Sequence, residues 1–235
     1  MSLFEQSAVR NRLLKRLSPS DFGLLRPHLR PFATELHQTL IQPYVPIHEL
    51  FFPEAGYASI TTAGLGKVEV GIIGPEGIVG ATPVLLGSDR TPYDHFVQGA
   101  GEMLAIGVPE FLAATETSVV LRNLLLRFVQ TLLIQTAQTA FANASYNIEV
   151  RLARWLLMCQ DRVNGDELTV THDFLSFMLG VQRTTVTLAL QMLEGNRLIR
   201  ARRGRIAVLD RVGLLAVASD SYGVPEAEYV RLIGD

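Results

Sequence analysis

Arginine side chains concentrate in one part of this sequence, between Gln182 and Arg211. Seven arginines occur there against only two carboxylates, Glu194 and Asp210, a local charge of +5 in a chain whose formal net charge is −2. A basic cluster on a nearly neutral protein is typical of a surface that binds phosphate groups. The chemistry that these residues predict is therefore the binding of a polyanion.

Two short helices joined by Gly180 are predicted to hold the first part of this cluster. Thr169 and Thr171 stand in the position of N-cap residues before an apolar helix, and Gly180 suits its end because that position often needs a positive φ. In the second helix the spacing of Val186, Ala189, Leu190 and Leu193 predicts a buried stripe, which leaves residues 182–184 and 187 outside. This pattern is typical of a helix-turn-helix.

A basic hairpin is predicted directly behind the second helix. The segment from Ile199 to Val208 alternates apolar and basic residues on either side of Arg203-Gly204, as two short antiparallel strands would. A helix-turn-helix followed by such a wing predicts a protein that binds double-stranded DNA.

Each exposed polar residue of this region receives a predicted role on DNA. Arg183 is long enough for a bidentate contact to guanine, and Thr184 and Thr187 suit base edges or thymine methyl groups. Gln182 and Thr185 are expected at phosphates, where the positive helix N-terminus assists, and the wing arginines at the DNA backbone. The complete set of predicted DNA contacts is Thr171, Gln182, Arg183, Thr184, Thr185, Thr187, Arg200, Arg202, Arg203 and Arg205.

The composition describes a folded protein of ordinary type. Hydrophobic residues make up 48% of the 235 residues and charged residues 19%. The segment from Val119 to Ile134 is broken by polar side chains, so no apolar run reaches the roughly 18 residues of a membrane span. The amphipathic N-terminus lacks the features of a secretory signal. The single cysteine, Cys159, excludes an internal disulfide and is expected to be buried and inert, so we expect a cytoplasmic protein.

Changes in composition and residue pattern divide the chain into three predicted parts. Residues 1–117 contain N-terminal helices and then frequent Gly and Pro between short strands, which predicts an antiparallel sandwich or roll. Residues 118–146 form one long helix, apolar on more than one side, whose simplest partner is its copy in a homodimer. Residues 147–235 begin with a helix that presents Trp155 on its apolar side and Arg154 on the other, and continue into the predicted helix-turn-helix and wing.

This order of elements resembles the Crp–Fnr family of bacterial transcription regulators. The resemblance is strongest in EVRLARWLLM, LGVQRTTVTLALQMLE and NRLIRARRGRIAVLD, and in the N-terminal half it rests on FFPEAGYASI and GPEGIVGATPVLLG. It implies an α+β fold with an N-terminal β-roll like that of cyclic-nucleotide-binding domains, a dimerisation helix and a C-terminal winged helix-turn-helix. It also implies a homodimer on an inverted-repeat DNA site, with RNA polymerase and a small-molecule effector as further partners.

The sensor residues of that family are not matched here. The family holds the ribose with a Gly-Glu-hydrophobic turn, but Ile78 replaces the Glu in Gly77-Ile78-Val79-Gly80, and Tyr93 and Asp94 stand in place of the Arg and Ser/Thr that bind the cyclic phosphate. A carboxylate there would repel a phosphate. The candidate effector pocket therefore comprises Arg90, Tyr93, Asp94 and His95, with no cyclic nucleotide, iron–sulfur cluster, haem or other cofactor expected.

Two alternatives from other classes remain. A cupin-like metal enzyme on the β-roll would need a His-x-His pair with further ligands, and the sequence contains no such pair. No residues are predicted to be catalytic, so we do not expect an enzyme. The second alternative is a winged-helix protein whose roll is regulated by a partner protein, which the sequence does not separate from the leading interpretation.

Overall fold

The protein is described by a computed structural model that covers residues 5–64 and 67–234. Its helices are α1 (Arg12–Arg16), α2 (Pro19–Leu25), α3 (Ala81–Leu85), α4 (Val108–Thr117), α5 (Val119–Ser145), α6 (Ile148–Gln160), α7 (His172–Leu179), α8 (Arg183–Gly195), α9 (Arg211–Ala218) and α10 (Val224–Ile233). Its strands are β1 (Arg30–Ala33), β2 (Thr39–Ile41), β3 (Glu49–Pro53), β4 (Tyr57–Thr62), β5 (Glu69–Ile73), β6 (Tyr93–Gly99), β7 (Glu102–Gly107), β8 (Glu167–Thr169), β9 (Ile199–Arg202) and β10 (Arg205–Val208).

Two antiparallel sheets form the predicted N-terminal roll. One has the strand order β2-β6-β4-β5 and the other the order β1-β7-β3. Their facing sides bury large apolar side chains, among them Phe52, Ile73 and Ile106. Helices α1 and α2 close one side of this core with Leu13, Leu14, Phe22 and Leu25, and Ser18 caps α2 by accepting a hydrogen bond from the Asp21 amide.

The long predicted helix is present as α5, with 27 residues and Ser118 as its N-cap. One face packs into the core of the roll through Leu121, Leu125 and Phe128. Within the described ranges α5 is also the one helix that has the length and apolar composition of a membrane span. Of its most apolar stretch, 44% is buried inside the fold.

The C-terminal part is a three-stranded sheet, in the order β8-β10-β9, packed with α6, α7, α8 and α9. The prediction that Arg154 lies on the outer side of α6 is wrong. Its side chain is 6% exposed, and its guanidinium donates from Nε to the Ser221 carbonyl and from Nη2 to Thr139 Oγ1, both at 3.0 Å. The reason is that residues 219–221 and α5 cover the side of α6 that the sequence pattern leaves free.

The described residues after α9 do not stay with the C-terminal sheet and its helices. A C-terminal segment, residues 219–234, leaves α9 and returns across α5 to the roll. Gln138 on α5 donates to the Asp220 and Ser221 carbonyls, and Tyr229 donates to the Glu76 carbonyl at 2.8 Å. Ile233 is buried in the core of the roll. The C-terminal segment therefore links the winged helix-turn-helix to the roll.

A second contact between the two domains is polar and buried. Glu69 on β5 accepts hydrogen bonds from Trp155 Nε1 on α6 at 2.8 Å and from Ser59 Oγ at 2.5 Å. Beside this contact, Phe174 of α7 packs against Phe96 and His37 of the roll, with ring centroids 6.1 Å and 5.5 Å apart. The roll thus fixes the position of the first helix of the helix-turn-helix.

Candidate nucleic-acid interface

The predicted helix-turn-helix is formed by α7 and α8. Thr171 caps α7 by accepting a hydrogen bond from the Phe174 amide, and α7 ends at Gly180, whose φ is +62°. That backbone conformation favours glycine. Val181 and Gln182 then connect directly to α8, so the short link predicted from the sequence is confirmed.

Helix α8 presents one face to the core and the opposite face to solvent. Its buried residues are Val186, Ala189, Leu190 and Leu193, the predicted stripe. The exposed face carries Gln182, Arg183, Thr184 and Leu188. The first turn of α8 contains no acidic residue, so the positive end of its dipole is not compensated locally. This N-terminus is suited to bind an anion.

Arg183 lies beside a carboxylate that the sequence did not single out. Its Nε lies 3.3 Å from Oδ1 of Asp173 on α7, and both side chains are 64% exposed. An arginine held at Nε keeps both terminal nitrogens free for a planar acceptor. No local pattern marks Asp173, because it is one helix away and stands where an acidic residue in a first turn is ordinary.

The threonines near Arg183 have more internal contacts than predicted. The Thr187 hydroxyl donates to the Arg183 carbonyl at 3.0 Å and lies 3.1 Å from Nδ1 of His172. Thr187 and Thr185 are half-buried, whereas Thr184 is exposed. Thr171 is exposed and serves as the cap of α7. Their predicted DNA contacts stay predictions.

The wing is the hairpin of β9 and β10, with Arg202 paired opposite Arg205 and Arg203-Gly204 as the turn. Arg200, Arg202, Arg203 and Arg205 are all exposed. Arg205 makes an exposed ion pair with Glu167 on β8 at 2.9 Å, and these two residues, Arg200 and Arg202 line a cleft of about 250 Å³. Within residues 5–64 and 67–234, the other three wing arginines have no ion pair. Their charges are therefore available to phosphates.

Arg211 does not belong to this basic surface, although the sequence groups it with the cluster. Its guanidinium donates to Asp161 and Gln160 at 2.7 Å each and to the Tyr222 hydroxyl at 3.2 Å. It ties the start of α9 to the end of α6. The interface of free or exposed arginines is thus smaller than the cluster counted along the chain.

The four residues of the candidate effector pocket have different environments. Arg90 is exposed and bound to the neighbouring Asp89, while Tyr93 is exposed at the start of β6. Asp94 accepts from Lys67 at 3.1 Å. His95 is buried, and burial lowers the pKa of its imidazole to about 4. That this set forms a pocket stays a prediction.

The turn that precedes α3 is closed by α5. Ile78 is fully buried, and a Cβ atom on Gly77 would lie 2.5 Å from Cε2 of Phe128. The aromatic ring of Phe128 therefore lies directly against the turn at which the family pattern places the ribose contact. Among the described residues, His, Cys, Asp and Glu side chains form no cluster of three or more that would hold a metal ion.

Comparison with known proteins identifies the helix-turn-helix in the same part of the chain. Residues 150–217 match a family model described as a Crp-like helix-turn-helix domain. No curated protein matches the chain in sequence.

The solved structures that are similar over most of the chain include the following three. A transcriptional regulator of the Crp/Fnr family from Eubacterium rectale is 15% identical, with a TM-score of 0.69 over 88% of this chain and 97% of that one. FixK2 from Bradyrhizobium japonicum is 13% identical, with a TM-score of 0.69 over 81% and 98%. The c-di-GMP-responsive regulator CLP from Xanthomonas campestris is 17% identical, with a TM-score of 0.64 over 81% and 99%. At these identities the structures establish a common fold.

Proposed function

We propose that this protein, whose residues 150–217 match a Crp-like helix-turn-helix domain, is a sequence-specific DNA-binding transcription regulator of the Crp–Fnr type. The fold predicted from the sequence is confirmed by the structural similarity, and the helix-turn-helix by the domain match. The observation that carries the proposal is the exposed N-terminus of α8, with Arg183 and Thr184 free of core packing, beside a wing of exposed arginines. In this proposal α8 enters the major groove and the wing lies on the DNA backbone.

The proposed active form is a homodimer joined along α5. An apolar residue recurs every seven positions of α5, at Val119, Leu126, Leu133 and Ala140. Ala137 and Ala144 each follow a residue of this repeat by one helical turn. Val119 and Leu133 are 67% and 53% exposed, although both are large and apolar. A seven-residue apolar repeat is the pattern of a two-helix coiled coil. Two copies related by a twofold axis would present two α8 helices to an inverted repeat about one helical turn apart.

A variant of the repeat tests the dimer. Leu133→Arg is expected to give a monomer in sedimentation velocity and to lose binding to an inverted-repeat duplex, because a charge would be buried in the seam. Val120→Arg, at an exposed apolar position outside the repeat, is the matched control and should remain dimeric. Two dimeric variants, or two monomeric ones, would contradict the assignment of this seam.

DNA recognition is tested by selecting bound duplexes from a random pool and then comparing two arginines on the selected site. Arg183→Ala is expected to cost about 1–3 kcal/mol on that site and little on random DNA, because it removes a base contact. Arg203→Ala is expected to weaken binding to the selected site and to random DNA by the same factor. It should also reduce the slope of affinity against salt concentration by the share of about one phosphate contact. Equal losses on selected and random DNA for Arg183→Ala would assign that residue to the backbone.

The β-roll is proposed to be a degenerate cyclic-nucleotide sensor. Ile78 is buried where the family pattern has an acceptor, and Phe128 closes on the same turn. Cyclic AMP added to the full chain is expected to give no binding heat and no change in melting temperature. Saturable binding heat would show that Arg90 or another group restores the site.

The remaining parts of the proposal follow from this role. The protein acts in the cytoplasm without catalytic activity, and its dimer on DNA contacts RNA polymerase. A small-molecule effector of the regulator is part of the same proposal. In transcription in vitro from a template carrying the selected site, adding the protein should change the amount of transcript, and Arg183→Ala should remove that change.

A further inference from the structure

The outward face of α8 carries an exposed apolar side chain among its polar residues. Leu188 is 62% exposed and belongs to neither apolar core of the described residues. Thr184, four residues before it, and Gln191, three residues after it, are exposed as well. Residues three and four apart lie on the same side of a helix, so these three form one row opposite the buried stripe of α8.

Leu188 lies close enough to the N-terminus of α8 to reach base edges. Helix α8 begins at Arg183, so Leu188 is about 7.5 Å along its axis, whereas Met192, which is also exposed and apolar, is about 13.5 Å along it. The major groove is about 12 Å wide, and a recognition helix contacts bases with its N-terminal residues. Of the two apolar side chains, Leu188 is therefore the one that lies beside the proposed base contacts of Arg183 and Thr184.

Thymine is the one base that offers an apolar group to such a side chain. In the major groove adenine, guanine and cytosine present hydrogen-bond donors or acceptors, whereas thymine also presents its C5 methyl group. A leucine placed against a polar base edge would displace water without replacing its hydrogen bonds, which costs free energy. Contact with a methyl group instead removes two apolar surfaces from water, which is favourable.

A single exposed leucine is ordinary on a protein surface, so exposure alone assigns no role to Leu188. Its position in the outward row near the start of α8 does. We propose that Leu188 is a specificity-determining residue that selects thymine at one fixed position of each half-site through contact with the C5 methyl group. This inference rests on the proposed function, because it requires α8 to lie in the major groove of DNA.

Replacement of thymine by uracil tests the contact, because it removes the methyl group and keeps the base pair. A duplex selected from a random pool by the full-length protein is synthesised again with uracil at each thymine in turn, and affinities are measured by gel-shift titration. At one thymine of a half-site, uracil is expected to weaken binding about fourfold, the effect of roughly one buried carbon group. A selected duplex in which no such replacement changes the affinity would overturn the inference.

Two variants then assign the effect to a side chain. Leu188→Ala shortens the side chain without lowering helix propensity, and it should bind the thymine and uracil duplexes equally. Met192→Ala removes an apolar side chain of similar exposure, 58%, one turn further along α8, and it should keep the ratio of the unmodified protein. If the ratio persisted in Leu188→Ala, or disappeared in both variants, the methyl contact would not belong to Leu188 in particular.

These outcomes differ from a failure of the proposed function. Both substitutions are at exposed positions, so an unchanged melting temperature is expected and verifies that each variant is folded. Equal affinity of the unmodified protein for selected and random duplexes would refute sequence-specific DNA binding, and this inference with it. A protein that prefers its selected duplex but does not distinguish thymine from uracil through Leu188 would refute this inference alone.

Discussion

Replacement of Glu69 by Gln should remove a loss of stability that the unmodified protein undergoes as pH rises. Glu69 is buried between the roll and α6, and burial raises the pKa of its carboxyl from 4.5 to about 7. The hydrogen bonds that Glu69 accepts from Ser59 and Trp155 oppose this rise in pKa, but the effect of burial is larger.

The direction and size of this change in stability follow from the pKa of Glu69 in the unfolded chain and in the folded protein. Between about pH 4.5 and 7 the folded state keeps a proton on Glu69 that the unfolded chain has released, so the free energy of unfolding falls as pH rises through this window. At about 1.4 kcal/mol per pKa unit, the loss is at most about 3 kcal/mol and is complete above pH 7. Glu69→Gln retains an amide oxygen that accepts from Trp155 and removes the charge.

Urea denaturation at a series of pH values from 4.5 to 8.5 provides the assay. The difference in unfolding free energy between Glu69→Gln and the unmodified protein should grow between pH 4.5 and 7 and then stay constant, with the variant more stable. Because only the difference is used, other titrating groups cancel. Glu35→Gln, at an exposed position, should give a difference that does not change with pH.

Two results would refute this reasoning. A difference that is constant over the whole range would show that Glu69 ionises at its ordinary pKa in the folded protein. A variant less stable than the unmodified protein at pH 8 would show that the charged carboxylate is the form the interface requires.

Other substitutions test neighbouring features. Burial lowers the pKa of His95 to about 4, so its protonation opposes folding as pH falls below about 6.5. His95→Leu should therefore lose less unfolding free energy between pH 7 and 4.5 than the unmodified protein does. An equal loss in both proteins would contradict this. Gly180→Ala should cost about 1–2 kcal/mol because φ is +62°, whereas Gly23→Ala, with free space in α2, should cost nothing; equal urea midpoints would exclude the strain. Asp173→Asn should raise affinity for random DNA and lower the preference for the selected site in gel-shift titrations, because it removes a negative charge and releases Arg183; a parallel change on both would reject a positioning role.

The helix-turn-helix could be predicted from sequence in detail because its signals are local. The cap at Thr171, the positive φ at Gly180 and the spacing of Val186, Ala189 and Leu193 each involve residues within two turns of one another. The same holds for the wing, where alternation and a Gly turn fix the pairing of Arg202 with Arg205. Local backbone preference and burial periodicity are enough to determine such elements.

The partners of the charged residues could not be predicted in this way. Arg183, Arg205 and Arg211 look alike in the sequence, yet one is paired with Asp173 on another helix, one with Glu167 across a strand and one with Asp161 at a distance of 50 residues. An arginine side chain reaches whichever carboxylate the packing brings near it, and the sequence pattern carries no information on that choice.

The sequence by itself therefore determined the order of the elements, their caps and turns, and the basic character of the DNA-facing surface. Only the tertiary structure decided which arginines of that surface are free, which carboxyl is buried between the domains, and that residues 219–234 return to the roll. The physical reason is range: helix and turn formation depends on neighbours a few residues apart, whereas burial, ion pairing and pKa depend on residues that meet only when the domains pack.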